Sequence, residues 1–193
     1  MFSGLTIGVD VDGVLGDFVN PVLNTVNEIY GTYYKEADII KFNMEEIIGK
    51  EEMQNAMKVL EEKSFVLSMS IYEGAIDNIN VIRKMFWVNR IVFVTSPYYS
   101  YKSWVYERFE WLKNNFNASK DDVIFTSDKT LFNGDILIDD YHKNLQKWID
   151  LKRTGIKLER PWNKDYKCNK TAKSWDEVKE YCDKITNYIS YRT

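Results

Sequence analysis

The chain is poor in the residues that make cross-links and soft-metal sites. Its 193 residues include two cysteines, Cys168 and Cys182, and one histidine, His142. Two cysteines are too few for a disulfide scaffold. With no Cys-x-x-Cys pair and no second histidine, they do not form a thiolate–imidazole metal centre either. Free thiols in a reducing compartment are the expectation. Three prolines and nine glycines form no linker, and no internal repeat or low-complexity tract divides the chain into sequential domains. No apolar run approaches the roughly 18 residues of a membrane span. The opening "MFSGLTIGVD" lacks a basic start and meets Asp10 too early for a signal peptide. A formal charge of -3 gives no general attraction to nucleic acid or anionic lipid, so a phosphate-bearing ligand has to be met by local cations. These absences describe a soluble cytoplasmic protein with no membrane and no nucleic-acid partner; a homodimer is compatible with them.

What is present is a foldable core, with 45% apolar residues. Four short runs, "LTIGVD" (5–10), "RIVFVT" (90–95), "DVIFT" (122–126) and "DILID" (135–139), are nearly all apolar rather than alternating, as in strands covered on both faces of a parallel sheet. Ile76, Ile79, Ile82 and Met85 keep helical spacing before the second run. Trp104, Val105, Phe109 and Leu112 keep it before the third. Strands alternating with helices predict an open α/β sheet. Residues 20–73 contain no convincing strand and carry helical stretches such as 51–63, which reads as a helical cap inserted after the first strand. Near the end, Ser174 and Glu177 in "SWDEVKEY" predict a capping box at the start of a closing helix.

In doubly wound sheets, ligands bind outside the carboxyl ends of the strands, so the residues ending each run carry the functional signal. They are Asp10 and Asp12 in "DVDGVLGDF", Thr95 and Ser96 in "VTSP", Ser127 to Lys129 in "SDKT", and Asp139 and Asp140 in "LIDD". Buried ionised carboxylates are costly unless paired, so Asp10 and Asp12 at the end of an apolar strand suggest a bound cation or a shifted pKa. Hard oxygen ligands without histidine or thiolate favour Mg²⁺, with the lysine and hydroxyls left to hold phosphate. Singly, Asp12 reads as a helix cap and Thr95-Ser96-Pro97 as a turn. Together, they leave acidic strand ends that only a site explains.

These four motifs, in this order, resemble those of the haloacid dehalogenase (HAD) superfamily of phosphohydrolases, and within it the 5'(3')-deoxyribonucleotidases. The resemblance covers most of the chain. It implies a HAD-like Rossmannoid parallel sheet flanked by helices, with a catalytic core of residues 1–19 and 74–193 and a helical cap of residues 20–73. It also implies a Mg²⁺-dependent phosphomonoesterase acting on deoxyribonucleoside 5'- or 3'-monophosphates through an aspartyl-phosphate. Asp10 would be the nucleophile, and Asp12 the acid that protonates the leaving oxygen and later activates water. Asp10, the backbone carbonyl of Asp12, and Asp139 would hold the metal, with Asp140 close behind. Thr95, Ser96, Lys129 and the turn at Gly13 would hold the phosphate.

For the base, the resemblance implies aromatic contacts from Phe18, Phe42 and Phe65; ordinary core packing is the alternative. Ser127, Tyr141 and Tyr98-Tyr99 stand where animal members tend to carry basic residues, which leaves base and sugar preference open. A phosphatase of another small metabolite, or a nucleotide-binding module without catalysis, are the competing readings. His142 reads as a helix-surface residue. The basic stretch from Lys152 to Lys173 reads as a solvated face rather than a nucleic-acid patch, and "RPWN" within it resembles a stretch in bacterial members of the family.

Overall fold

The structure is a computed structural model that describes residues 4–190. Six strands form one sheet in the order β3-β2-β1-β4-β5-β6, every neighbouring pair parallel. They are β1 (Leu5–Val9), β2 (Val88–Thr95), β3 (Val123–Phe125), β4 (Ile136–Asp139), β5 (Thr154–Leu158) and β6 (Thr171–Ala172). The four apolar runs become β1 to β4. The pattern did not reveal β5 and β6: "TGIKL" is interrupted by Lys157, and β6 is two residues long.

Among the described residues seven α-helices complete the fold: α1 (Val19–Tyr30), α2 (Glu45–Ile48), α3 (Lys50–Glu62), α4 (Ala75–Arg83), α5 (Trp104–Phe116), α6 (His142–Asp150) and α7 (Trp175–Ser190). Asp17, the third carboxylate of the opening motif, has a structural task. Its two oxygens accept from the backbone and side-chain amides of Asn20 (3.1 and 2.8 Å) in the first turn of α1, and Gly31 ends that helix in the left-handed conformation. At α7, Ser174 Oγ accepts from the amide of Glu177 (3.3 Å), but the Glu177 carboxylate reaches one residue further back than a capping box requires, to Lys173 N (2.8 Å). Two helices turn differently from their apolar patterns. In α5 the buried face is Trp104, Glu107, Arg108, Trp111, Leu112 and Phe116, with Val105 exposed; in α4, Asn78 is buried and Ile76 exposed.

The sheet is covered on both faces. On one side Val92, Val94, Phe132, Leu137 and Trp148 form a separate cluster, with the Phe132 ring lying where a side chain at position 8 would project, so that only glycine fits there. On the other side one continuous cluster runs from β1, β2 and β4 through α4, α5 and α7 into α1 and α3. The helical segment after β1 is thus packed onto the sheet by a shared core. β1 lies between β2 and β4, and the chain winds outward from it in both directions, which makes the carboxyl end of β1 the switch point of the sheet.

Candidate active site

Four strand ends converge at this switch point. Asp10 directly follows β1, with its amide donating to Ile138 O (2.9 Å) on β4; Thr95 closes β2; Asp139 closes β4; and the loop after β3 delivers Lys129. Lys129 is 3% exposed, and its Nζ bridges Asp10 Oδ1 (2.6 Å) and Asp139 Oδ2 (2.8 Å). The Asp10, Asp139 and Asp140 carboxylates, all buried, have oxygens within 4.8 Å of one another. Three acids around one ammonium leave negative charge unbalanced. Burial above all, with Asp139 and Asp12 adding and Lys129 opposing, pushes the Asp10 carboxyl up to about 7. Asp140 is raised in the same sense by burial and by its acidic neighbours. For Lys129, the attraction of Asp10 and Asp139 outweighs burial and keeps the ammonium charged.

The acids differ in which oxygens are free. Asp139 has both engaged: Oδ1 accepts from the amide of Tyr141 (2.7 Å), and Oδ2 from Lys129 and from Asn144 (3.1 Å). Asp140 Oδ2 accepts from Trp162 Nε1 (2.8 Å), while its Oδ1 is buried with no partner. The Thr95 hydroxyl is likewise buried and unpartnered. An unpaired acid oxygen suits a cation, and a buried hydroxyl without an acceptor suits an oxyanion.

Gly13 adopts φ +75° and lies against Asp140, where any Cβ would come within 2.1 Å of Oδ2; the position demands glycine on both counts. Its own amide donates to Gly16 O (3.0 Å) and its carbonyl accepts from Arg160 Nε (2.6 Å), so the turn is fixed but the Gly13 amide is not free to meet a phosphate.

Above the acids opens a cavity of about 500 Å³, lined by the sheet edge and by the helical segment, which contributes Val19, Ile39, Phe42, Asn43, Met44 and Met53. Asp10, Asp12, Gly13, Ser96, Lys129, Asp140 and Phe18 all line it. Phe65 does not: it is 5% exposed and packs behind Phe18 (ring centroids 5.9 Å) and against Trp104, which places it in the core rather than against a ligand. Phe42 lines the cavity and stacks on Tyr141.

Two contributions were not read from the sequence. Arg108, fully buried on α5, donates to Asp12 Oδ1 (2.5 Å). In the basic stretch Lys152, Lys164, Lys167 and Lys173 are exposed, but "RPWN" and Lys157 turn inward. Pro161 starts a short 3-10 turn that aims Trp162 at Asp140, Asn163 ties that turn to Asp140 O (2.7 Å), Arg160 stacks on Tyr72, and Lys157 is buried with Nζ on the carbonyls of Asn163 and Tyr166. The signal available was Pro161 before two side chains able to donate.

A parallel sheet that ends in an aspartate pair, a threonine, a lysine and a second aspartate pair under a helical segment has the HAD-like fold. Solved structures agree. A haloacid dehalogenase-like hydrolase of Streptococcus pneumoniae superposes with TM-score 0.63 at 13% identity, covering 94% of this chain and 99% of that one. A magnesium-bound HAD hydrolase of Bacillus subtilis gives 0.58 at 13% identity, covering 93% and 99%. The model of the family "5' nucleotidase, deoxy (pyrimidine), cytosolic type C protein (NT5C)" matches residues 4–186, and the chain belongs to that family. A 5'(3')-deoxyribonucleotidase of Clostridium acetobutylicum is 25% identical over 185 residues, 95% of this chain and 98% of the relative. The mitochondrial 5'(3')-deoxyribonucleotidase of Mus musculus is 28% identical over 143 residues, covering 70% and 64%. The protein is accordingly a deoxyribonucleotidase-like phosphatase, a hydrolase of phosphoric monoesters.

Proposed function

We propose that the chain dephosphorylates deoxyribonucleoside monophosphates by way of an aspartyl-phosphate on Asp10. The observation that carries this reading is the floor of the cavity, where Asp10 meets Lys129 at 2.6 Å beside the unpartnered oxygen of Asp140. Asp10 attacks phosphorus; the ester P–O bond breaks, and the leaving ribose oxygen takes the bonding pair together with the proton of Asp12. Asp12, now a carboxylate, accepts a proton from water as that water's oxygen attacks phosphorus. The bond to Asp10 breaks with its electron pair returning to the carboxylate, and inorganic phosphate leaves. Lys129, Thr95 and Ser96 hold the phosphoryl oxygens, where positive charge and donors stabilise the transition state.

The residues fit a hard divalent cation, since every donor is oxygen and one buried acid oxygen has no partner. Asp10, the Asp12 carbonyl and Asp140 would hold Mg²⁺. Asp140 takes this role rather than Asp139 because both Asp139 oxygens are already occupied by Lys129, Asn144 and the Tyr141 amide. When bound, the ion neutralises and orients the phosphoryl oxygens. The Bacillus subtilis neighbour, solved with magnesium, supports the choice of ion.

The cavity walls supplied by residues 20–73 act as a cap, with Phe42 offering a face to the base. For its location we propose the cytoplasm, a reading supported by a cytosolic-type human relative.

The test is phosphate release by purified chain with Mg²⁺ from deoxynucleotides, ribonucleotides and sugar phosphates in parallel. Deoxynucleoside monophosphates should be the best substrates. A preference for sugar phosphates would transfer the site to another metabolite, and no release from any of them would make it a binding module.

A further inference from the structure

Helix α5 carries a full positive charge into the core. Trp104, Arg108 and Trp111 fall at i, i+4 and i+7 on one face. The Arg108 guanidinium is wholly buried, with its carbon 4.7 Å from the Trp104 ring centroid and 5.8 Å from that of Trp111, and Nη1 at 3.7 Å from Met69 Sδ. Nε finds no partner. The adjacent acid, Glu107, is turned away and accepts from Tyr101 and Ser103. Burial of a guanidinium in such surroundings is costly unless an oxygen acceptor meets it. The acid that meets Arg108 is Asp12, through Nη2 and Oδ1 at 2.5 Å.

The two partners are unequal. Arg108 is enclosed and does not line the cavity; the Asp12 side chain keeps 28% of its surface exposed and does line it. Oδ1 is thus anchored from behind, whereas Oδ2 accepts no hydrogen bond from the described residues. A guanidinium clamped between two indoles has few conformations of its own, so it fixes the carboxylate it holds.

We propose that Arg108 is the positioning residue of the proton donor. By pinning Oδ1 of Asp12 it presents Oδ2 to the leaving oxygen, touching neither substrate nor phosphate itself. This rests on the reading of Asp12 as the acid. It implies a dependence on leaving group that a purely structural arginine would not give. An alkyl oxygen must be protonated as its bond to phosphorus breaks, whereas p-nitrophenolate departs as a stable anion without a proton. Both esters still need Asp10, Lys129 and the intact cavity.

The experiment measures kcat/KM, which reports steps through aspartyl-phosphate formation, for a deoxynucleoside monophosphate and for p-nitrophenyl phosphate with Mg²⁺. The enzymes are the parent, Arg108→Met, Arg108→Lys and Asp12→Asn. General acid catalysis is worth about 10²–10⁴-fold. Arg108→Met should therefore lose about 10²-fold on the nucleotide and less than about tenfold on the aryl ester. Asp12→Asn should show the same split, larger, and Arg108→Lys, which keeps the charge but not the fork, a smaller one. If Arg108→Met does not fold by circular dichroism, the split in Arg108→Lys decides. Equal losses on both esters in the Arg108 variants, with a split retained in Asp12→Asn, overturn the positioning role and leave the acid assignment standing. No split in Asp12→Asn overturns both.

Discussion

The rings of Phe42 and Tyr141, both lining the cavity, stack with centroids 3.7 Å apart and planes within 17°. Phe42 comes from the helical segment after β1, and Tyr141 directly follows the Asp139–Asp140 pair, so the stack joins that segment to the acidic edge of the sheet. Two parallel aromatic faces at that spacing leave no room for a third. A nucleobase in the cavity therefore cannot enter between the two rings, and stacks on Phe42 from its outer face.

Phe42→Ala removes one of those faces. Base–aromatic stacking is worth about 1–3 kcal/mol, so kcat/KM for nucleotides should fall by roughly 5- to 150-fold. An aryl phosphate too small to reach Phe42 should lose much less. Equal losses on both substrates at unchanged melting temperature would mean that Phe42 orders the catalytic floor, and would rule out base stacking.

Asp10→Asn should lose turnover altogether on every ester, because an amide does not attack phosphorus, while circular dichroism and gel-filtration behaviour stay those of the parent. Incubation of the parent with substrate followed by rapid acid quench should trap phosphate on the chain, and the Asn variant should trap none. Mg²⁺-dependent turnover by the purified variant would move the nucleophile elsewhere.

The fold and the floor of the site were legible because both follow from local rules. Strands buried on both faces read as continuous apolar runs, which located β1 to β4, and an aspartate pair ending such a run has no cheap structural reading. Lys157 hid β5, since a charge inside a buried strand looks like a break until its Nζ is seen on the carbonyls of Asn163 and Tyr166. Arg108 was missed for a similar reason. An apolar-periodicity reading turned α5 toward Val105 and Phe109, whereas the helix buries a cation between two tryptophans to reach Asp12, a partner 96 positions away. The engagement of both Asp139 oxygens depends on Lys129, Asn144 and the Tyr141 amide, so position in the "IDD" motif could not separate Asp139 from Asp140.

The raised carboxyl of Asp10 makes metal-free stability depend on pH. Between the ordinary aspartate range near 3.8 and about 7, the folded chain holds a proton on Asp10 that the unfolded chain has released, so Asp10 lowers stability as pH rises through that window. In EDTA the melting temperature of Asp10→Asn should therefore gain on the parent steadily from pH 4.5 to 7.5. Mg²⁺ at a hundred times its dissociation constant should stabilise the parent by about 2.7 kcal/mol, and a fixed Mg²⁺ concentration should stabilise it more at pH 7.5 than at pH 5. A difference between parent and variant that does not change with pH would show that burial leaves Asp10 unperturbed.

The last expectation concerns Trp162, whose indole N–H donates to Asp140 Oδ2 at 2.8 Å and thereby holds the unpartnered Oδ1 in place. Donors that orient a metal-binding carboxylate typically affect metal affinity by 10- to 100-fold. Trp162→Phe keeps an aromatic ring but deletes the donor, so the Mg²⁺ concentration giving half-maximal activity should rise by about that factor, with kcat at saturating Mg²⁺ little changed. Asp140→Asn should raise it further. Asp139→Asn should instead lower kcat without a comparable shift in Mg²⁺ requirement, because its oxygens serve Lys129, Asn144 and the Tyr141 amide. Calorimetric titration of Mg²⁺ into each variant checks the same order without turnover. If Asp139→Asn loses Mg²⁺ binding while Asp140→Asn and Trp162→Phe keep it, the direct ligand is Asp139, and the hydrogen bond from Trp162 serves only to seat the Arg160–Asn163 turn against the sheet.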